Sequence, residues 1–258
     1  AQYRLPRQMI RWAAMQASGL ITVCQALKTS LIDLGVPGDK IRVLRNGVDL
    51  VTFSPGDRLA ARTRFGAAGR LLLSVGNLVP LKGHDLAIRA LALLPDQDTE
   101  LAIAGDGPEE ARLRALATQL GLAARVRFLG RLPHQALPEI YRAADALLLL
   151  SSREGWANVI LEAMACGTPV VATEVGGTPE IVTTPAVGEL VAERTPAAIA
   201  AAITRLLARR PDRAAVRAYA EGFSWDATTQ GQVEFFEEIL ATAQRPAPSA
   251  MSTTYARP

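Results

Sequence analysis

Between residues 70 and 191 the chain alternates short apolar runs with longer stretches of helical spacing. The apolar runs fall at 71–75, 101–104, 126–129, 146–150, 169–172 and 188–191. They are nearly continuous rather than alternating, which is the pattern of strands buried on both faces. Between them the spacing predicts helices near 84–94, 109–120, 137–144, 158–166 and 178–182. One helix between successive buried strands predicts a parallel sheet covered on both sides. The expected fold class is therefore α/β, a Rossmann-like doubly wound sheet whose ligand crevice lies at the carboxyl ends of the strands. Beyond Thr195 the pattern becomes helical, over 196–209, 212–220 and 226–240.

Residues 1–53 have a different rhythm: a helix at 6–18, a strand at 20–23, a helix at 26–34 and a strand at 41–44. The turn Asn46-Gly47-Val48-Asp49 and a loop through Ser54-Pro55-Gly56 follow. Such a piece is too small to bury a good core of its own. Residues 244–258 are rich in Pro, Ala, Ser and Thr and read as a disordered tail. No internal repeat is visible.

Of the 258 residues, 49% are hydrophobic and 21% charged, a globular balance that excludes a disordered or collagen-like chain. No stretch approaches the ~18 apolar residues that a spanning helix needs, so no transmembrane span is expected. The two cysteines, Cys24 and Cys166, have no metal-like spacing, and a reducing compartment fits them. The formal net charge is +3, from 28 basic residues of which 25 are Arg and three are Lys. No basic run with interleaved aromatics occurs, which argues against a nucleic-acid partner. The chain opens at Ala1 on an amphipathic helical pattern rather than a secretory signal.

The most informative stretch is Ser151-Ser152-Arg153-Glu154-Gly155-Trp156-Ala157-Asn158-Val159-Ile160-Leu161-Glu162, continuing to Pro169. It leaves a buried strand and enters a helix that Asn158 is expected to cap. The free N–H groups and positive dipole end of that helix make an anion site. Gly155 and Ala157 permit a ligand to approach the backbone. Glu162 lies about 6 Å along the helix axis beyond the cap, and Glu154 lies before it. A capped core helix with a solvated Glu is the plainer alternative. A glycosidase-type carboxylate pair is another, since sequence does not fix the separation of the two groups.

The second stretch, Val75-Gly76-Asn77-Leu78-Val79-Pro80-Leu81-Lys82-Gly83-His84-Asp85, is again a strand, a glycine turn and a helix start. Lys82 just before that helix suits a phosphate as a compact point charge. His84 reads as a helix-start residue bonded to nearby backbone, and His134 as a surface-loop residue. The third stretch, Ile103-Ala104-Gly105-Asp106-Gly107-Pro108-Glu109-Glu110, imitates a dinucleotide fingerprint but has Glu110 at the third glycine position. NAD binding is not expected, while Gly105 and Gly107 leave open backbone for a base or ribose. Asp96-Gln97-Asp98 has the form of a metal-holding pair but falls at the amino ends of the strands, where a solvated turn is expected.

Together these stretches resemble the carboxyl-terminal half of family-4 retaining glycosyltransferases with the GT-B fold. The resemblance covers about residues 10–240. It rests on Gly76-Asn77-Leu78 with Lys82-Gly83, on Ala104 to Pro108, on Phe128-Leu129-Gly130 and on Tyr141 to Asp145. The Glu154–Glu162 pair matches the family's E-x7-E motif, and Gly167 to Val171 and Gly176-Gly177 follow in order. Asn46 to Asp49 with Phe53 and Pro55 resembles the crossing between the two domains. The resemblance implies an organisation of 1–53 as a remnant of the first domain and 54–221 as the nucleotide-sugar donor domain. It further implies a crossover helix at 222–243, ahead of the tail at 244–258.

The resemblance implies roles as well. Lys82 would neutralise the donor's diphosphate, helped by Gly76, Asn77 and the N–H groups around Asn158 and Val159. Glu154 and the backbone of Gly155, Trp156 and Ala157 would hold the transferred sugar. Glu162 would accept from the ribose hydroxyls, and Gly105, Arg131 and Leu132 would hold the base. Lys82 and Glu154 are the expected catalytic residues, with no metal and no cofactor beyond the donor. The family's pattern has Arg where this chain has Asn77, which removes a cation from the diphosphate.

The expected reaction is metal-independent retaining transfer from a nucleotide-diphosphate sugar to a polysaccharide, lipid-linked or small-molecule acceptor. Because the family works in a cleft between two domains, the chain is expected to bind nucleotide weakly and transfer little without the amino-terminal domain. A non-catalytic nucleotide-sugar-binding module that needs a partner chain, or a GT-B-type sugar-nucleotide epimerase, are the alternatives. The expected location is cytoplasmic, peripheral at the inner membrane face.

Overall fold

The computed structural model describes residues 4–243; the tail expected at 244–258 lies outside the described residues. The elements in chain order are α1 (Arg4–Gln16), β1 (Leu20–Thr22), α2 (Gln25–Asp33), β2 (Ile41–Val43), α3 (Arg58–Arg64), β3 (Leu71–Val75) and α4 (His84–Ala92). They continue with β4 (Glu100–Ala104), α5 (Glu110–Gln119), β5 (Val126–Gly130), α6 (Leu137–Ala143), β6 (Ala146–Leu149), α7 (Asn158–Ala165) and β7 (Val170–Thr173). The last are α8 (Thr178–Ile181), β8 (Gly188–Val191), α9 (Pro196–Arg209), α10 (Arg213–Ala220) and α11 (Trp225–Ala243). The six apolar runs read from the sequence all become strands.

Those strands form one parallel sheet in the order β5-β4-β3-β6-β7-β8. Leu71, Leu73 and Leu147 point into an apolar layer on one face, built with Tyr141, Ile160, Met164 and Val216 from α6, α7 and α10. Leu72, Leu101 and Leu148 point into the other, built with Ile88, Leu91, Ile199 and Ile203 from α4 and α9. Successive residues of each strand thus face opposite layers, which is why no alternation shows in the sequence. The chain winds β3–β4–β5 to one side, then returns and winds β6–β7–β8 to the other. The β3/β6 boundary is therefore the topological switch point, where the loops leaving adjacent strands diverge.

Residues 20–43 form a separate two-stranded parallel sheet, β1 with β2. Its own buried cluster is only Ala14, Val36 and Ile41. Helix α11 runs back onto it: Thr228 donates to the Arg45 carbonyl, Phe235 packs on Gly19, and the Arg42 guanidinium lies 4.8 Å from the Phe235 ring centre. Helix α3 is an element beyond those that the apolar spacing predicts. The Asp57 carboxylate caps it by accepting from Ala60 N at 3.0 Å. Arg58 and Arg62 on α3 then reach Asp145 at 2.5 and 3.1 Å, and this carboxylate also accepts from Leu71 N at 2.8 Å. Cys24 and Cys166 are both buried free thiols.

The loop after β7 sets the backbone of the loop after β6. Gly176 has φ +54°, and a Cβ there would stand 1.7 Å from the Glu154 carbonyl oxygen. Next to it, Gly177 N donates to the Gly155 carbonyl at 3.0 Å. Gly176→Ala is expected to destabilise the chain by about 2–4 kcal/mol, read as a lower denaturant midpoint. An unchanged midpoint would show that the two loops do not support each other.

Candidate functional site

Three loops leave the carboxyl ends of β3, β4 and β5 and enclose a cavity of about 530 Å³. Gly76, Asn77, Gly105, Arg131 and Leu132 line it, and Arg131 is the one cationic side chain among the lining residues. The first two loops touch backbone to backbone: a Cβ on Gly105, at φ +149°, would lie 1.9 Å from the Gly76 carbonyl oxygen. Leu78 N also donates to the Asp106 carbonyl at 2.7 Å. Only a residue without a side chain permits this approach.

At the switch point Lys82 reaches across from the β3 loop to the β6 loop. Its Nζ donates to Glu154 Oε1 at 2.7 Å, and Ser151 Oγ donates to the same oxygen at 2.6 Å. The aliphatic stem of Lys82 lies about 3.6 Å from the side-chain position of Gly76, which brings the ion pair beside the cavity. The loops are also tied directly, Ser152 N donating to the Leu81 carbonyl at 2.9 Å.

His84 supports this corner from beneath. It is 2% exposed, with Nδ1 2.9 Å from Ser74 Oγ and Nε2 3.2 Å from the Asn77 carbonyl. The network assigns a neutral ring that accepts from Ser74 and donates to Asn77. Burial pushes the His84 pKa below its usual value, and Lys82 adds to this against the backbone contacts that raise it. The expected helix-start histidine bonded to backbone is thus present, holding the residue that lines the cavity.

Glu162 lies on α7. Tyr141 Oη donates to its Oε2 at 2.9 Å, and His134 Nε2 stands 3.8 Å from Oε1. Burial raises the Glu162 pKa, against the lowering effects of Tyr141 and His134. Burial, with Glu162 beside it, holds the Tyr141 hydroxyl well above its usual range. His134 is exposed as expected, yet it packs edge-on against Phe53 at 5.0 Å and overlooks Glu162. Neither this placement nor the Tyr141–Glu162 bond has a sequence signal, because the partners belong to different elements with no fixed spacing.

One expectation at α7 needs correction. Asn158 is the first helical residue, not the cap; Ala157 occupies the cap position and no side chain caps the helix. Asn158 Oδ1 instead accepts from Asn46 Nδ2 at 3.3 Å. The side-chain position of Gly155 faces Leu27 at 3.5 Å. Ala157 is buried and Val159 half-buried among core residues. Trp156 is buried too, donating from Nε1 to the Asn46 carbonyl at 3.1 Å. The uncapped start leaves the first N–H groups of α7 without a side-chain acceptor. Asp96, by contrast, forms the expected turn before β4, accepting from Asp98 N at 2.9 Å and Arg70 at 3.0 Å.

A cavity and an ammonium–carboxylate pair lie at the carboxyl ends of a parallel sheet, where doubly wound α/β folds have their crevice. The family pattern described as "Glycosyl transferases group 1" matches residues 58–223, and that described as "Glycosyltransferase Family 4" matches residues 1–52. The chain belongs to the group 1 glycosyl transferases. It is 42% identical over 227 residues to the D-inositol 3-phosphate glycosyltransferase of Geodermatophilus obscurus, covering 81% of this chain and 50% of that protein. The Acidothermus cellulolyticus protein of the same name is 41% identical over 243 residues, covering 87% and 54%. The chain therefore spans about half the length of these relatives.

Among solved structures, Anabaena HepE in complex with UDP superposes with a TM-score of 0.80 at 28% identity, covering 86% of this chain and 64% of that one. Sucrose-phosphate synthase from Thermosynechococcus elongatus gives 0.82 at 27%, covering 92% and 62%. The expected GT-B-type, Rossmann-like fold is borne out by these matches.

The buried neutral His84 has a pH signature. Its folded pKa lies below the unfolded value near 6.5, so the unfolded chain takes up the proton first as pH falls. The stability contributed by neutral His84 is present above that value and is lost as pH drops through and below it. The stability difference between wild type and His84→Gln is expected to shrink from pH 7.5 to pH 5, measured by urea unfolding. A pH-independent difference would rule out the buried neutral ring.

Proposed function

We propose that this chain carries the donor side of a glycosyltransferase that uses a nucleoside-diphosphate sugar. The observation behind the reading is the Lys82–Glu154 pair at 2.7 Å, held across the switch point beside the cavity lined by Gly76, Asn77, Gly105, Arg131 and Leu132. In the reading, the diphosphate sits between Lys82 and the uncapped start of α7. The base enters the cavity against Arg131 and Leu132, and Glu162 takes the ribose hydroxyls. UDP is the favoured nucleotide, since the Anabaena neighbour is described in complex with UDP.

Breaking the glycosyl–phosphate bond places negative charge on the leaving diphosphate. A fixed ammonium and a helix N-terminus stabilise that charge without reorganising. Glu154 keeps Lys82 pointed at this position and offers its second oxygen to a sugar hydroxyl. The reading assigns leaving-group stabilisation to these groups rather than to a metal. It includes transfer with retention, with the phosphate oxygen assisting deprotonation of an acceptor that attacks from the same face. The names of the relatives favour a phosphorylated polyol as acceptor over a polysaccharide or lipid-linked one. No described helix is long and apolar enough to cross a membrane, and a cytoplasmic, peripheral location belongs to the same proposal.

Calorimetric titration of UDP tests the reading. Lys82→Ala and Glu162→Ala are each expected to weaken binding at least tenfold, about 1.4 kcal/mol, with unfolding midpoints that still report a folded domain. An unchanged Kd in Lys82→Ala, or no nucleotide binding by the wild type, would overturn it. With a labelled donor, an epimerised sugar without acceptor product would favour the epimerase. Transfer only upon adding a second polypeptide would favour the binding module.

A further inference from the structure

A second hollow lies at the opposite end of the sheet, under the amino ends of β6 and β7. It has a volume of about 500 Å³ and is lined by Arg58, Arg142, Arg213 and Arg217 and by one carboxylate, Glu221, with Ala214 and Ala218 forming one wall. Arg58 and Arg213 also line an adjoining hollow of about 340 Å³, together with Arg70, Arg210 and Asp145.

The charges here do not balance. Asp145 pairs with Arg58 and with Arg62 from the neighbouring turn, and the exposed Glu221 pairs with Arg217. Arg142 and Arg213 meet only neutral oxygens. Arg142 donates to the Ser54 carbonyl and hydroxyl at 2.8 and 3.4 Å. Arg213 donates to the carbonyls of Ala144, Arg142 and Cys166 and to Thr168 Oγ1 at 2.7 Å. Arg58 Nε is buried with no acceptor. Burial brings the Arg213 pKa down to about 10, and the charge of Arg58 adds to the effect. Like charges are thus gathered at a hollow with donors to spare, and none of them serves the crevice described above.

We propose that this hollow is an anion site for a small phosphate monoester, separate from the nucleotide crevice. Two guanidiniums without a carboxylate, and a third with an unused donor, suit a compact dianion with three or more acceptor oxygens. The volume exceeds that of phosphate alone, and the small side chains of Ala214 and Ala218 leave room for an organic part. Bound there, the phosphate would join α10 to α6 and to the start of α3.

Thermal unfolding in sodium phosphate, compared with sodium chloride at equal ionic strength, tests the site with inorganic phosphate as the probe. The wild-type midpoint is expected to rise by about 2–4 °C once phosphate is well above its Kd. Ala218→Glu and Ala214→Glu each place a carboxylate at an exposed position of the wall, and both are expected to abolish the rise. Lys82→Ala is expected to keep it. The proposal fails if the wild type shows no rise. It fails equally if the rise is lost in Lys82→Ala and kept in Ala218→Glu, which places the phosphate in the crevice. An equal rise in every variant also defeats it, because that is general exclusion of phosphate from the protein surface.

Discussion

At the β3/β6 switch point two loops that diverge in the chain are drawn together, and the rest of the site depends on that closure. Lys82 and Glu154 supply its ionic part, with side chains 26% and 12% exposed. A pair so little exposed gives up much of its hydration, and its attraction repays this only when further hydrogen bonds complete the geometry. Ser151 and the Ser152–Leu81 backbone bond provide them. Such a pair is a weak way to stabilise a domain and a good way to fix an ammonium at one point. Its place beside the cavity, rather than on a random surface, is what gives it a ligand-binding meaning.

The first fifty residues contribute more to this site than their small core suggests. Trp156 and Asn158, either side of the α7 cap, are both tied to Asn46 in the crossing segment. Arg45 makes an ion pair with Glu180 at 2.7 Å, while Glu180 also accepts from Gln25 N. Arg217 holds the carbonyls of Leu50 and Phe53, and α11 returns to cover β1 and β2. The crossing segment thus takes the place of a missing cap: it fixes the entry into α7 while leaving the helix's first N–H groups without a side-chain acceptor. A side chain at the cap would have consumed one of the donors that an anion needs.

The sheet was legible because near-continuous apolar strands separated by single helices admit few other arrangements. The glycine-rich turns and Lys82 were legible because they sit directly after strands, where the fold places its crevice. Asn158 misled because a good capping residue at a plausible position says nothing of its backbone angles, and tertiary contact with Asn46 decided them. Helix α3, only seven residues between a proline–glycine loop and a strand, is too short for its apolar spacing to show, although Asp57 carries a start signal. His134 and Tyr141 converge on Glu162 only after α6 packs beside α7, and no linear spacing encodes that packing.

The chain's choice between lysine and arginine follows the same division of labour. Arginines carry the structural ties: Arg213 and Arg217 each bridge backbone carbonyls from separate segments, and Arg142 holds the Ser54 carbonyl and hydroxyl. A planar fork suits that task because one side chain spans several fixed acceptors. Of the three lysines, Lys28 and Lys40 bond carbonyls around the small sheet, and only Lys82 lies in the large domain. An ammonium on a flexible stem can keep its contact with Glu154 while turning another N–H towards a phosphate. Asn77 strengthens this reasoning. With a neutral side chain there, and its carbonyl taken by His84, Lys82 is left as the one lysine or arginine of the loop after β3.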